Sequence, residues 1–176
     1  MSAEAQISLR DYLETEFEGP APEYVDGELA ERSMTSLEHS RVQSKIHLLL
    51  GKMAEPRGLH CYVEVPMRVA GDGVRVPDIA VFEGSEPSGR IAEQPPLLIV
   101  EVLSPWDTWS GLRRRVHAYE GSGVAHIWLA DPDSRELYKA TDVELRRVSA
   151  LELPDFDLRV APEEVFPQGP GPAQLD

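Results

Sequence analysis

The spacing of apolar residues predicts helices in the first third of the chain. A short helix is predicted over Ser8–Glu16, with Ser8 as its N-cap. A longer helix is indicated by five apolar residues whose spacing places them on one helical face. These residues are Val42, Ile46, Leu49, Leu50 and Met53. Thr35, with Glu38 three residues later, matches a capping box, so the sequence predicts that Thr35 caps this helix.

A third helix is predicted over Asp107–Glu120. Asp107 is the expected N-cap, and an additional acid near a functional site is its alternative role. Its core face is predicted from residues at helical spacing. These residues are Trp109, Leu112, Val116 and Tyr119. By helical phase, Arg115 lies about 80° from the centre of that face, at about 100° per residue. Arg114 points away into water, so its substitution is expected to have no effect, and Arg113 flanks the opposite side of the core face.

Between the helices, short apolar runs bounded by Gly, Pro and Asp predict strands. The predicted single strands are Leu59–Val65, Met67–Ala70, Val76–Phe82, Leu97–Leu103 and Ala125–Ala130. Hairpins are predicted at Tyr24–Leu29, around Asp26-Gly27, and from Glu136–Thr141 with Glu144–Ser149. Because helices and strands interleave, the fold class is α/β or α+β with a mixed sheet.

The composition is that of an ordinary globular domain, with 41% hydrophobic and 27% charged residues among 176. One domain over residues 1–166 is expected, followed by a disordered Pro/Gly-rich tail at 167–176. No segment matches a signal peptide or a membrane span, and the single cysteine, Cys61, excludes an internal disulfide. A cytoplasmic protein is therefore expected. The net charge of −14 counts against a generic nucleic-acid binder, although a local basic surface is compatible with it.

Two carboxylates in apolar strands are the first sign of chemistry. Glu101 interrupts the apolar run Leu97–Leu103. Burying a carboxylate without a partner is strongly unfavourable in free energy. Asp78 stands in the neighbouring run Val76–Phe82. Taken singly, each has an ordinary explanation: a salt bridge or a solvated strand end for Glu101, and a Pro-Asp turn for Asp78. Taken together, they predict an oxygen-ligand site for Mg²⁺ or Mn²⁺ at the ends of adjacent strands.

Several short segments, in this order, resemble the Uma-two family of restriction-endonuclease-like proteins, within the PD-(D/E)XK nuclease superfamily. The matching segments are Tyr24–Leu29, Ser36–His39, Pro77-Asp78, Glu101–Pro105, Tyr119, Gly123-Val124, Ile127–Pro132 and Leu153–Phe156. The resemblance spans about residues 9–166. It implies a restriction-endonuclease-like mixed β-sheet flanked by helices, and a Mg²⁺-dependent or Mn²⁺-dependent site.

The resemblance also implies roles for particular residues. Asp78 and Glu101 would be metal ligands, with the Val102 carbonyl as a third, and Glu28 is a candidate for the additional N-terminal acid. The superfamily lysine usually lies two residues after the glutamate, where this chain has Leu103. In Uma-like sequences the lysine is on the next helix, and alignment through Tyr119 places Arg115 there.

Three further residues are candidates for substrate contacts: His39, Arg113 and Trp106. Each has a structural alternative. His39 is in the first turn of its helix and could serve only packing or capping, and Arg113 could belong to a solvated face. Trp106 could stack on a base or simply pack. Glu28 could likewise be a surface charge at a strand edge.

The sequence therefore supports a Mg²⁺-dependent endonuclease acting on DNA as the first hypothesis. A nuclease-fold protein that binds nucleic acid without cutting is the second, because Arg115 replaces the lysine and cannot act as a base. A dimeric, partner-binding module is the third. The net charge favours the last two, and the Asp78/Glu101 pair favours the first. A homodimer is expected.

Overall fold

The computed structural model describes residues 7–32 and 35–166. Its helices are α1 (Leu9–Glu14), α2 (Leu37–Ala54), α3 (Trp109–Gly121) and α4 (Pro162–Val165). Its strands in the first half are β1 (Glu23–Val25), β2 (Glu28–Ala30), β3 (Leu59–Val63), β4 (Met67–Val69), β5 (Gly73–Arg75), β6 (Ile79–Glu83) and β7 (Leu98–Val102). Those in the second half are β8 (His126–Asp131), β9 (Glu136–Ala140), β10 (Leu145–Val148), β11 (Leu151–Leu153) and β12 (Leu158–Val160). The tail predicted at 167–176 lies outside the described residues.

A six-stranded mixed sheet in the order β10-β9-β8-β7-β6-β3 forms the centre of the molecule. Only β7 and β8 pair in parallel, and α3 makes the crossover between them. The other neighbours are antiparallel, as expected for strands joined by short connections. The predicted mixed sheet flanked by helices is confirmed.

The two long helices cover opposite faces of this sheet. On β7, Leu98, Val100 and Val102 pack in the cluster that contains the apolar face of α2. Ile99 packs in the other cluster, with Leu112 and Val116 of α3. Because side chains alternate along a strand, Glu101 lies on the α3 face. The near-continuous apolar runs of β6 and β7 follow from burial on both faces.

A second sheet, in the order β2-β1-β5-β4, packs beside the first. The β1–β2 hairpin turns at Asp26-Gly27, where both residues have positive φ (53° and 86°). This pair of left-handed residues is the geometry of a tight two-residue hairpin. The turn predicted around Asp26-Gly27 is therefore confirmed. Strand β5, the β11–β12 hairpin and α4 were not predicted from the sequence pattern.

Both predicted N-caps of the longer helices were wrong by one residue. Ser36 caps α2, and its Oγ accepts the backbone N–H of His39. Thr108 caps α3, and its Oγ1 accepts the N–H of Gly111. Ser, Thr and Asp are all favoured as N-caps, so residue type alone does not decide between adjacent candidates such as Thr35 and Ser36 or Asp107 and Thr108.

The expectation that Trp109 belongs to the core was also wrong, since its side chain is 59% exposed. Trp109 is the first residue of α3, and burial on this face begins one turn later, at Leu112. Trp109 is thus on the same side of the helix as the core residues, but the first turn of α3 extends beyond the sheet, which leaves this side chain exposed. In the part of the chain described, no helix is long and apolar enough to cross a membrane.

Candidate active site

Asp78 and Glu101 face each other across the β6–β7 pair. Ile79 is paired with Val100, so the next pair outward in this antiparallel register is Asp78 with Glu101. Directly opposed residues of antiparallel strands share one face, with Cβ atoms about 5 Å apart. Both residues are buried, at 6% and 4% exposure. The sheet therefore forces two carboxylates together at its edge, on the α3 face.

Each carboxylate is held in place through one of its oxygens. Asp78 Oδ2 accepts the backbone N–H of Val102 at 2.7 Å and lies 3.2 Å from His39 Nε2. Glu101 Oε1 accepts the hydroxyl of Tyr119 at 2.5 Å. Among the described residues, no hydrogen-bond donor reaches Asp78 Oδ1 or Glu101 Oε2. The second oxygen of each carboxylate is consequently available to a ligand.

The electrostatics of the site favour a bound cation. Burial raises the pKa of Glu101 to about 7, because desolvation and the charges of Asp78 and Glu23 outweigh the effects of Arg115 and Tyr119. Burial lowers the pKa of His39, but its hydrogen bond to Asp78 and the nearby carboxylates raise that pKa above its ordinary value. The raised pKa of Glu101 reports mainly its burial, and the raised pKa of His39 reports the carboxylates beside it.

Arg115 reaches the site from α3, beside the core face as its helical phase predicts. Its guanidinium forms an ion pair with Asp107 Oδ1, and its Nη1 lies 3.8 Å from Glu101 Oε2. Asp107 is itself held by Ser104, whose N–H and Oγ both donate to Asp107 Oδ2. Asp107 is thus a support for Arg115 and not the helix cap that the sequence predicted.

A cavity of about 120 Å³ opens onto these groups. Its lining includes His39, Asp78, Glu101, Val102, Asp107 and Arg115. The structure therefore brings together five of the residues singled out for the site from the sequence, with Asp107 as an addition.

Glu23 also lines this cavity, and sequence reasoning missed it. Its carboxylate accepts hydrogen bonds from Arg75 Nη1 at 2.7 Å and from the backbone N–H of Val76 at 3.0 Å. The position depends on the pairing of β1 with β5 through Tyr24 and Val74. Because β5 was not predicted, nothing in the sequence pattern connected Glu23 with Asp78.

Three candidates lie outside the cavity. Glu28 is exposed on β2, at the far side of the hairpin from Glu23. Arg113 is exposed on α3 and lines a different cleft, which also contains Arg114. Trp106 is 63% exposed in the loop that carries Asp107. The structure does not place these three with the carboxylate pair.

The available ligands suit a hard divalent cation. Among residues 7–32 and 35–166, no group of three or more His, Cys, Asp or Glu residues is arranged to hold a metal ion. The donor set at the cavity is instead two carboxylates with the neighbouring Val102 backbone. Mg²⁺ is commonly bound by one or two carboxylates, with water and substrate phosphate completing its octahedron. The residues therefore fit Mg²⁺ or Mn²⁺, with further ligands supplied from solution.

The chain matches a family model over residues 9–170. The model is Uma2, described as "Putative restriction endonuclease". Among curated proteins, none matches.

One solved structure similar to this chain is a "putative nuclease belonging to DUF820" from Anabaena variabilis. The TM-score is 0.78 with 23% identity, and the similarity covers 91% of this chain and 97% of that chain. It shows that the two chains share a fold. A second structure, a DrdV–DNA complex, is similar over 63% of this chain and 12% of that chain, with 16% identity and a TM-score of 0.37. At that TM-score it carries no inference.

Proposed function

Because the chain belongs to the Uma-two family, we propose that the protein is a divalent-metal-dependent endonuclease that hydrolyses phosphodiester bonds in DNA. The observation that carries this proposal is the opposed pair Asp78 and Glu101, buried at the edge of adjacent strands with one unbonded oxygen each. Purely structural carboxylates at such a position would be expected to have their charge neutralised by partners. Here the nearest cation to Glu101 is 3.8 Å away and also bound to Asp107.

Asp78, Glu101 and the Val102 carbonyl would hold the metal ion. A Mg²⁺ or Mn²⁺ ion bound there would polarise the scissile phosphate and lower the pKa of water. Burial and, to a smaller extent, repulsion by Asp78 make the negative charge of Glu101 unfavourable, and a cation bound between the two carboxylates would relieve both effects.

Arg115 would stabilise the negative charge that develops on the phosphate. It is 23% exposed in its side chain and lines the cavity, so it can reach a bound phosphate. Its guanidinium can donate two parallel hydrogen bonds to phosphate oxygens. Burial lowers the pKa of Arg115, but the charges of Glu101 and Asp107 more than compensate and raise it. Arg115 therefore acts as a permanent positive charge and takes no part in proton transfer.

His39 and Tyr119 would orient the two metal ligands. His39 holds Asp78 Oδ2, and Tyr119 holds Glu101 Oε1, so each leaves the other oxygen free. A carboxylate held in this way is preorganised: it loses less rotational freedom when it binds a cation, so binding is stronger.

Trp106, in the exposed loop before α3, would contact bases by stacking. Arg113, which lies outside the cavity, would contact a phosphate neighbouring the one that is cleaved. A homodimer and a cytoplasmic location stay predictions from the sequence.

The proposal is tested by nicking of supercoiled plasmid and degradation of single-stranded DNA at low salt with Mn²⁺. Wild-type protein is expected to cut, and Asp78→Asn and Glu101→Gln are expected to lose at least about 100-fold in rate, since each removes a charged ligand. Glu83→Gln is the matched control, because Glu83 is exposed at the other end of β6. Equal cutting by all four proteins would show that the activity does not arise at this cavity.

A further inference from the structure

A cleft of about 730 Å³ lies over the outward face of α3, apart from the cavity that holds the carboxylates. Ser110, Arg114, Ala118 and Gly121 line it at helical spacing, with Arg113 and His117 beside them. On one side α3 contacts the β4–β5 turn, where the N–H of Ala70 donates to Ser122 Oγ at 2.8 Å. On the other side it contacts Asp142, which lies 3.1 Å from His117 Nδ1. The helix is thus the floor of a groove between two walls.

The cleft holds two arginines that are available to a ligand. Arg113 and Arg114 are both exposed, and among the described residues no carboxylate lies within 4 Å of either guanidinium. The acidic residues in the lining are Asp26 and Asp142, and Asp142 is already engaged by His117 and by Glu120, which accepts its N–H. In a chain of net charge −14, adjacent unpaired arginines in a concave surface are a local basic site.

The cleft adjoins the candidate active site. Arg75 lines the cleft, and its ion-pair partner Glu23 lines the cavity of the carboxylate pair. Along α3, Arg114 in the cleft is followed directly by Arg115 in the cavity. Consecutive helical residues point about 100° apart, so the arginine run presents positive charge to both surfaces at once.

The wall on the β4–β5 side is lined by backbone and small side chains. Ala70, Gly71 and Gly73 belong to this wall. A Cβ atom at Gly73 would lie 2.8 Å from Val69 Cγ2 and 3.1 Å from the Tyr24 carbonyl oxygen, so this position requires glycine for packing. At Ala70, Gly71 and Gly73 the wall carries no long side chain, which leaves room there for an extended chain to lie along the helix.

We propose that this cleft binds the phosphodiester backbone of a DNA strand, next to the bond that is cleaved, through Arg113 and Arg114. The inference rests on the proposed function and assigns the path of the substrate. Guanidinium groups match phosphate oxygens in geometry and charge, and the two adjacent arginines outweigh the exposed Asp26 at the rim, since Asp142 already lies 3.1 Å from His117 Nδ1. Helical phase alone predicted that Arg114 faces solvent. The structure shows that this face of the helix is the floor of a cleft, where a ligand could contact Arg114.

The test is binding of a fluorescein-labelled single-stranded DNA oligonucleotide, measured by anisotropy in EDTA so that no cutting occurs. Arg113→Gln and Arg114→Gln are each expected to weaken binding roughly ten-fold at low salt. Each should also reduce the slope of log affinity against log salt concentration by about 0.7. Lys52→Gln is the control, since it removes the same charge from an exposed position on α2, on the opposite face of the large sheet.

Binding by both arginine variants equal to that of Lys52→Gln would overturn the proposal, as would a wild-type protein that does not bind the oligonucleotide. Plasmid nicking separates these results from failure of the proposed function. If both arginine variants still nick plasmid and bind DNA as wild type does, the proposal that the cleft binds DNA is rejected and the proposal of endonuclease activity stands. Binding that depends on the two arginines, in a protein that never cuts, supports the cleft and rejects the endonuclease.

Discussion

At the scale of single residues, the proposed mechanism depends on Arg115, at a position where the family resemblance implies a lysine. Arg115 is held between Asp107 and Glu101 and keeps its charge at every accessible pH. A lysine would be a shorter, compact cation that could come closer to the attacking water. In the proposed mechanism Arg115 would stabilise phosphate charge, but it could not activate water as the lysine implied by the resemblance would.

Exchanging Arg115 for lysine is therefore expected to keep or raise Mn²⁺-dependent nicking, and Arg115→Ala is expected to abolish it. Neither change removes a metal ligand, so Mn²⁺ binding should persist in both. The measurements are plasmid nicking and Mn²⁺ titration on the same preparations, with Lys52→Ala as the control for loss of one positive charge. An Arg115→Ala protein that cuts as fast as wild type would remove this residue from the mechanism.

A different result would favour the second hypothesis. If wild-type protein and Arg115→Lys both bind Mn²⁺ and DNA but neither cuts, the protein is better described as a nuclease-fold binder. The structure already provides a reason for such an outcome, since the Asp107 ion pair engages the guanidinium that a phosphate would need.

At the scale of secondary-structure elements, the start of α2 connects folding to the site. Ser36 accepts the N–H of His39, and His39 in turn contacts Asp78. The cap thus holds the first turn of an 18-residue helix over the carboxylate pair.

Loss of this cap should be measurable in stability. Ser36→Ala is expected to lower the free energy of unfolding by about 1 kcal/mol, the usual effect of removing a serine cap. Thr35→Ala, one residue earlier, is expected to change it by less than about 0.5 kcal/mol. Urea denaturation of the three proteins measures both values. A larger loss for Thr35→Ala would restore the cap that the sequence predicted.

Elements with strong local patterns were predicted well, and those that depend on distant pairing were not. The apolar face of α2 and the run that became β7 are visible in the sequence because both are buried along their length. Strand β5 has only three residues and exists through its pairing with β1 and β4. Its absence from the prediction is also why Glu23 was missed at the site.

At the scale of the whole molecule, burial explains which parts of the site the sequence could reveal. Asp78 and Glu101 were identifiable because a buried charge lowers the stability of the fold unless a partner or a bound ion compensates it. Arg115 was identified through the family resemblance, supported by its helical phase. Exposed residues such as Glu28 and Trp106 carry no such signal, because a surface position accepts almost any polar side chain.

The structure shows how the basic residues are distributed in a chain of net charge −14. Many of the basic residues are neutralised by ion pairs, for example Arg75 with Glu23 and Arg68 with Glu93. Arg113 and Arg114 of α3 differ, since they face an open cleft, whereas Arg115 beside them is paired with Asp107 and faces the carboxylate cavity. Charge is therefore distributed so that one helix carries the surface suited to phosphate.

The most direct test of the account is Mn²⁺ binding measured by isothermal titration calorimetry. We expect wild-type protein and Glu83→Gln to bind, and Asp78→Asn and Glu101→Gln to lose most of the affinity. Because the pKa of Glu101 is raised to about 7, protons compete with the ion below that pH. The affinity of wild type should therefore fall about ten-fold per pH unit as pH decreases from about 7. Wild-type protein that binds no Mn²⁺, or a Glu101→Gln protein that binds it equally well, would contradict the central claim.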